Sequence, residues 1–156
     1  MPAKAIPEGY HSITPYLAVD DASGAIEFYK KAFGAKENLR MPTPDGKVAH
    51  AELAIGDSLI MLSDPFDQGS TKTPKVLGAT TMGIFLYTED VDEVYKQALD
   101  AGATSTQEPE DMFWGDRFAR VTDPYGHSWQ IATHVKDIEP EEMERLSREA
   151  MASTPA

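Results

Sequence analysis

Imidazole and carboxylate side chains are the groups in this sequence best suited to acid–base or metal chemistry. His50 and Glu52 are two residues apart, a spacing that places both on one face of a strand. His134 follows Gln130 by four residues and so shares a strand face with it. Such donors bind divalent ions, and imidazole exchanges protons near neutral pH. His50, Glu52 and His134 could converge on an ion, but we favour a hydrogen-bonded rim pair and a structural strand-end histidine.

A loop over residues 112–117 carries side chains suited to contacting a small molecule. Its sequence Met-Phe-Trp-Gly-Asp-Arg combines aromatic rings with one cation. We expect Trp114 to contact a ligand, with core or subunit packing as the alternative use of this ring. Arg117 either holds an anionic group of the ligand or pairs with a carboxylate of the protein, and the sequence leaves both open.

Composition excludes several functional classes. The absence of cysteine excludes disulfides, thiolate metal sites and a cysteine nucleophile. No dinucleotide-binding glycine motif, phosphate loop or Gly-x-Ser-x-Gly elbow occurs. The net charge of −12 opposes binding to nucleic acid and to anionic membranes, and it favours cationic ligands. No segment approaches the ~18 apolar residues that span a bilayer. We therefore expect a cytoplasmic protein without nucleic-acid or membrane partners.

The sequence contains an internal repeat. Residues 13–21 align with residues 82–90, an offset of 69, and both segments are apolar and end in two acidic residues. Residues 26–35 and 91–103 both have helical spacing and both close on Gly-Ala. Residues 56–59 resemble residues 126–129 with a slip of one position. Because a repeat of this length marks one supersecondary unit written twice, we expect two modules with a common plan.

Capping and turn residues convert this plan into elements. In the second half, Asp90 and Glu93 form a capping box before an amphipathic helix that Gly102 ends. The first helix begins at Asp21 or Ser23 and stops before Gly34. Alternation and turn residues predict strands over 36–41, 47–55, 58–63, 104–107, 117–122 and 127–134. The apolar segment at the start of each half is its first strand, so each half is predicted to have the order βαβββ.

The predicted organisation has five parts. Residues 1–10 are an N-terminal extension, 11–63 the first module, 64–79 a turn-rich linker and 80–134 the second module. Residues 135–156 form an acidic C-terminal segment, whose Pro140 suits the first turn of a helix running to about Ala150.

Two βαβββ modules, with Asp-Pro-Tyr-Gly at 123–126 and Phe-Tyr-Lys-Lys-Ala-Phe-Gly-Ala at 28–35, resemble the glyoxalase/bleomycin-resistance (vicinal oxygen chelate) superfamily. Residues 13–17 and 114–127 look like its PhnB-like branch. The resemblance covers residues 11–134. It implies an α+β fold in which two tandem modules form a curled mixed sheet around a cleft, here followed by a C-terminal helix. It also implies a small-molecule ligand in that cleft and a homodimer.

Metal-dependent members of this superfamily place four ligands on the inward strand faces. The positions that match them here are Thr14, Met61, Gly83 and Gln130. Glycine offers no donor, a thioether is soft and a neutral hydroxyl is weak, so only Gln130 suits a hard divalent ion. We therefore expect no metal and no other cofactor, with His50, Glu52 and His134 as a weak alternative site.

The same alignment predicts which side chains line the cleft. They are Thr14, Tyr16, Met61, Gly83, Phe85, Tyr87, Trp114, Arg117 and Gln130, an aromatic surface with a few polar groups. One hypothesis is a metal-free protein that binds a planar or cationic compound. The alternative is an enzyme, either a lyase, isomerase or dioxygenase with a displaced divalent metal or a metal-free acid–base catalyst. A third reading is a scaffold whose cleft its own side chains fill.

Overall fold

The first half of the chain folds as one βαβββ module. In the computed structural model, which describes residues 3–66 and 71–154, it contains β1 (Tyr16–Ala18), α1 (Ala22–Phe33), β2 (Lys36–Pro42), β3 (Val48–Ile55) and β4 (Ser58–Ser63). The strand order is β1-β4-β3-β2, parallel between β1 and β4 and antiparallel elsewhere. Asp21 caps α1 by accepting a hydrogen bond from Gly24 N, and Gly34 ends the helix.

The second half repeats this arrangement after a short connecting helix, α2 (Pro74–Leu77). Its elements are β5 (Gly83–Tyr87), α3 (Val91–Ala101), β6 (Thr104–Asp111), β7 (Asp116–Thr122) and β8 (Ser128–His134), followed by α4 (Pro140–Ala152). The strand order is β5-β8-β7-β6. The α+β prediction of two βαβββ modules and a C-terminal helix is confirmed, with one four-stranded mixed sheet in each module.

The offset of 69 residues is visible in the hydrogen bonding. Tyr16 pairs with Met61, and their repeat counterparts Phe85 and Gln130 pair in the same way. The first amide of each module's helix also has an equivalent acceptor. Ala22 N donates to Asp64 Oδ1, and Val91 N donates to Thr133 Oγ1. The repeat therefore extends from the sequence to the way each last strand is tied to its helix.

Several boundaries differ from the sequence prediction. Strand β6 runs to Asp111 instead of residue 107, because residues 110 and 111 still pair with β7. The predicted loop over residues 112–117 is therefore a tight turn, and its last two residues belong to β7. Strand β1 begins only at Tyr16. Residues 67–70 of the predicted linker, like residues 1–2 and 155–156 at the termini, lie outside the described part of the chain.

One shared core joins the modules. Helices α1 and α3 pack against each other, and Trp129 of β8 lies against Phe33 of α1 with ring centroids 4.3 Å apart. Alternate strand residues face this core, so the other residues form a second face on each sheet. We call these the open faces. The first carries Tyr16, His50, Glu52 and Met61, and the second carries Gly83, Phe85, Tyr87, Phe118, Arg120 and Gln130.

Among the helices of residues 3–66 and 71–154, none combines the length and the apolar character that crossing a bilayer requires.

Candidate functional site

The first open face carries a hydrogen-bonded chain of three polar side chains. His50 Nε2 lies 3.2 Å from Glu52 Oε1, and His50 Nδ1 lies 3.0 Å from Tyr16 Oη. A carboxylate only accepts, so His50 donates from Nε2 and its Nδ1 is free to accept from the Tyr16 hydroxyl. The sequence-predicted pair of His50 and Glu52 is thus a hydrogen-bonded pair on one strand face.

The N-terminal segment, residues 5–12, lies beside these three side chains and forms one wall of an open pocket of about 300 Å³. The pocket is lined by Ala5, Ile6, Pro7, Tyr10, His11, Ser12, Thr14, Glu52 and Met61. The Tyr10 hydroxyl is buried and has no hydrogen-bond partner of good geometry among the described residues. Burial and the neighbouring Glu52 carboxylate raise the pKa of Tyr10 to about 12. Sequence analysis assigned no function to this segment, since only the tertiary fold places it here.

The second open face carries a group of aromatic rings. The centroid of Phe85 lies 4.9 Å from that of Tyr87 and 5.8 Å from that of Phe118, and Trp114 lies 5.7 Å from Phe118. The guanidinium carbon of Arg120 lies 5.6 Å from the Phe118 centroid. Phe85 and Tyr87 are 44% and 60% exposed. These rings present an unfilled aromatic surface, of which Phe118 and Arg120 were not predicted although strand alternation in β7 indicates them.

Asp116 organises one end of this surface. It is buried, and its carboxylate accepts hydrogen bonds from Tyr87 Oη at 3.0 Å, Trp114 Nε1 at 3.0 Å and His134 Nδ1 at 2.8 Å. His134 Nε2 lies 2.9 Å from Asp137 Oδ1. Hydrogen bonds to Asp137 and then Asp116 raise the pKa of His134, because carboxylates beside both ring nitrogens stabilise the protonated imidazole. The sequence placed Asp116 in the loop over residues 112–117 but did not indicate these three hydrogen bonds, since their donors come from different elements.

The four positions that match the superfamily's metal ligands do not fit a hard divalent ion. Gly83 has no donor, and the Gln130 amide nitrogen lies 2.7 Å from where a Cβ at Gly83 would be. Gln130 therefore takes the space that a ligand side chain at residue 83 would need. The remaining donors are the Met61 thioether and the Thr14 hydroxyl, which are poor partners for such an ion.

The weak alternative metal site is divided between the two sheets. His50 and Glu52 lie on the first open face, and His134 lies at the end of β8. Within residues 3–66 and 71–154, no group of three or more His, Cys, Asp or Glu side chains could hold a metal ion. A single chain does not bring these three donors together.

Arg117 is the predicted strand residue that lies on neither open face. Its guanidinium forms a bidentate ion pair with Asp92 of α3, with Nε 2.6 Å from Oδ2 and Nη2 2.9 Å from Oδ1. It forms a second ion pair with Asp111. It therefore faces the helix side of β7, opposite to Phe118 and Arg120. Of the two uses that the sequence left open, the structure shows pairing with carboxylates of the protein.

Thr14 connects the modules. It lies just before β1 and lines, besides the pocket described above, a cavity of about 200 Å³ that Ile84 and Phe85 of β5 also line. The beginnings of the first strands of the two modules thus meet around a small space.

A sequence profile described as the Glyoxalase/Bleomycin resistance protein/Dioxygenase superfamily matches residues 9–131. Among curated relatives, the uncharacterized protein Mb0911c of Mycobacterium bovis is 44% identical over 136 residues, which make up 85% of this chain and 90% of that protein.

Solved structures share the architecture. The Arabidopsis thaliana gene product At5g48480 has a TM-score of 0.66 at 28% identity and covers 79% of this chain and 98% of its own. A Bacillus cereus PhnB protein, described as a putative 3-demethylubiquinone-9 3-methyltransferase, has a TM-score of 0.61 at 21% identity, over 79% of this chain and 99% of its own. At that identity the second likeness shows the fold alone. The profile spans both modules.

Proposed function

This chain belongs to the glyoxalase/bleomycin resistance protein/dioxygenase superfamily, and we propose that it binds a small planar or cationic molecule without the metal that other members use. The observation that carries the proposal is the unfilled aromatic surface of the second open face, formed by Phe85, Tyr87, Trp114 and Phe118. Phe85 and Tyr87 are exposed, Trp114 is partly exposed, and Phe118 is the buried ring beneath them. Clustered rings of this kind mark binding surfaces, because burying their exposed area against a ligand removes apolar surface from water. The net charge of −12 attracts cations to that surface.

The proposal assigns distinct tasks to the polar groups at the rim. Asp116 fixes the Tyr87 hydroxyl and the Trp114 indole by hydrogen bonds, so both rings are held in place before a ligand arrives. Such preorganisation lowers the entropy lost on binding. Gln130 and Arg120, on neighbouring strands in register, supply hydrogen-bond donors beside the rings.

Tryptophan fluorescence tests the proposal, since the chain has two tryptophans with different surroundings. Trp129 is buried in the core, whereas Trp114 lies at the aromatic surface. We expect 9-aminoacridine, a planar aromatic cation, to change the emission of the wild type and not that of the Trp114→Phe variant. Phe85→Ala should weaken binding about three- to tenfold through lost ring contacts. Phe66→Ala, which removes a ring of similar exposure outside both sheets, is the matched control.

Metal analysis of the untagged protein is the complementary measurement. We expect no stoichiometric zinc, nickel or iron. Stoichiometric metal that disappears in His50→Ala would overturn the metal-free proposal. A fluorescence response in Trp114→Phe equal to that of the wild type would overturn binding at the aromatic surface.

A second candidate function is metal-free acid–base catalysis. The contact between Asp116 and His134 favours it, because a buried carboxylate that orients an imidazole is a common arrangement for proton transfer. A substrate would have to displace the fully exposed Asp137 side chain from His134 Nε2 to exchange a proton with that nitrogen. The test is deuterium exchange from D₂O into the carbon-bound hydrogens of hydroxyacetone, with His134→Gln as the inactive comparison. Deuterium exchange no faster with the protein than in buffer alone would contradict acid–base catalysis.

We also propose a homodimer. Exposed apolar side chains concentrate on the open faces and their edges, among them Tyr16, Met41, Met82, Phe85 and Tyr87. A second copy of the chain that covers part of these faces would remove this area from water and leave the rest for a ligand.

A further inference from the structure

We infer that the pocket between residues 5–12 and the first open face binds the ammonium group of an amine ligand, with Glu52 as its counter-ion. The inference goes beyond the proposed function and does not depend on it. It concerns a different sheet and different residues.

The lining of this pocket combines apolar surface with a single carboxylate. Ala5, Ile6, Pro7 and Met61 supply carbon and sulfur atoms, and among the described residues Glu52 supplies the only carboxylate. No lysine or arginine of residues 3–66 and 71–154 lines the pocket. A cavity with this composition selects against anions and favours a cation that carries apolar groups.

Glu52 lacks a strong counter-ion within the described residues. Its side chain is 21% exposed, and its only ion-pair contact among residues 3–66 and 71–154 is the 3.2 Å contact with His50. The neighbouring Tyr10 hydroxyl and then the hydrogen bond from His50 lower the pKa of Glu52, so the group is a carboxylate at neutral pH. A largely shielded carboxylate that has no lysine or arginine beside it is stabilised when a cation binds next to it.

One tyrosine lines the pocket, and a second contacts the histidine that binds Glu52. Tyr10 lines the pocket itself, and its hydroxyl has no partner of good geometry. Tyr16 approaches from β1, and its ring centroid lies 5.6 Å from that of His50. Aromatic faces within about 6 Å of a cation attract it through their quadrupole. The ligand class that matches carboxylate, rings and apolar wall together is therefore a protonated amine or quaternary ammonium compound.

The hydrogen bonds that connect Glu52, His50 and Tyr16 hold the Glu52 carboxylate in position. Each member is fixed by a hydrogen bond to the next, and Glu52 pairs with Met61 across β3 and β4. Carboxylate, ring and thioether are therefore presented by strands of one sheet, while residues 5–12 supply the opposite wall.

The test is methyl NMR on full-length protein with ¹³C-labelled methionine methyl groups. Met61 lines the pocket, whereas Met112 lies at the turn of the second module. Phenethylammonium is the probe, and 2-phenylethanol is its neutral counterpart of similar shape. We expect the ammonium compound to shift the Met61 methyl resonance and the alcohol to bind at least about tenfold more weakly, since a hydrogen bond to a charged group is lost.

Charge variants complete the experiment. Glu52→Gln keeps the size and the acceptor oxygen of the side chain and should weaken phenethylammonium binding about tenfold. Glu110→Gln removes one negative charge from an exposed position on β6 and should leave binding unchanged, which separates a local contact from the overall field. Ser12→Lys places a tethered ammonium at the pocket wall and should compete with the probe.

The outcomes separate this inference from the proposed function. No Met61 shift with phenethylammonium, equal binding of the alcohol, or equal binding by Glu52→Gln overturns the ammonium site. A Met61 response that persists while 9-aminoacridine leaves Trp114 emission unchanged supports the ammonium site and contradicts the aromatic site. A Trp114 response to 9-aminoacridine without a Met61 shift supports the aromatic site and contradicts the ammonium site.

Discussion

Two buried aspartates each hold a tryptophan and a tyrosine, with opposite consequences. Asp123 accepts from Tyr29 Oη at 2.6 Å and Trp129 Nε1 at 3.0 Å, deep between the modules. Asp116 does the same for Tyr87 and Trp114 at an open face. The first arrangement stabilises the core. The second holds rings that are available to a ligand.

Replacing Asp123 by Asn should destabilise the fold. The amide presents an NH₂ group to at least one of several donors, which include the backbone amides of Tyr125 and His127. Leaving a buried donor without an acceptor costs about 1–3 kcal/mol. Chemical denaturation measures the loss, and Asp57→Asn in the exposed β3–β4 turn is the control. Equal stabilities of the two variants would show that the Asp123 contacts contribute little.

The charge of His134 should depend on its two carboxylate partners. Its pKa in the folded protein lies above the ordinary value of 6.5, and Asp137→Asn should lower it, since Asp137 is the larger cause. The stabilisation from these contacts is complete below the unfolded pKa and is lost as the pH rises through the folded pKa. An NMR titration of the imidazole protons measures both values. A wild-type pKa at or below 6.5 contradicts the assigned contacts.

At the scale of elements, the β6–β7 turn anchors the C-terminal segment. Gly115 O accepts hydrogen bonds from Val135 N and Lys136 N, and His134 reaches from Asp116 to Asp137 beside it. Helix α4 itself has no buried residues. The segment after β8 is therefore attached mainly through this turn and the histidine.

Gly115→Ala should detach that segment. At Gly115 the φ angle is +100°, and an added Cβ would lie 2.0 Å from Lys136 O, a backbone atom. The variant incurs backbone strain of about 1–3 kcal/mol together with a steric clash. Gly46→Ala, at a φ of +86° with nothing within 4 Å, has the strain without the clash. Hydrogen exchange at Val135 and Lys136 should accelerate in the first variant only, and identical exchange in both rejects this explanation.

At the scale of the whole molecule, both sheets leave one face without a helix. Helices α1 and α3 are used together in the shared core, so no described helix of the modules remains for the open faces. Apolar residues on those faces stay exposed in a single chain, which is unusual for a protein that acts alone.

We expect sedimentation velocity to show a dimer at micromolar concentration. Phe85→Lys should shift the equilibrium towards monomer, because it places a charge in an exposed aromatic surface. Val76→Lys alters an exposed apolar residue on α2 instead of a sheet and serves as the control. A monomer over the full concentration range would contradict the homodimer proposal.

Local signals in the sequence predicted local structure well. Asp90 and Gly102 bound α3 as predicted, and Gly34 ends α1. The predicted pair of His50 and Glu52 forms, because strand periodicity alone places both side chains on one face. The strand end at residue 107 was wrong because pairing with β7, which extends β6 to Asp111, is a contact between segments.

The sequence by itself determined the repeat, the modules and the absence of a fitting donor set at Thr14, Met61, Gly83 and Gln130. These depend on residue type and on periodicity along the chain. Tertiary structure alone decided that Arg117 pairs with Asp92, that Asp116 collects three donors and that residues 5–12 wall a pocket over Glu52. Each of these joins residues far apart in sequence or on different elements, and such contacts are set by how the modules pack, which no local spacing encodes.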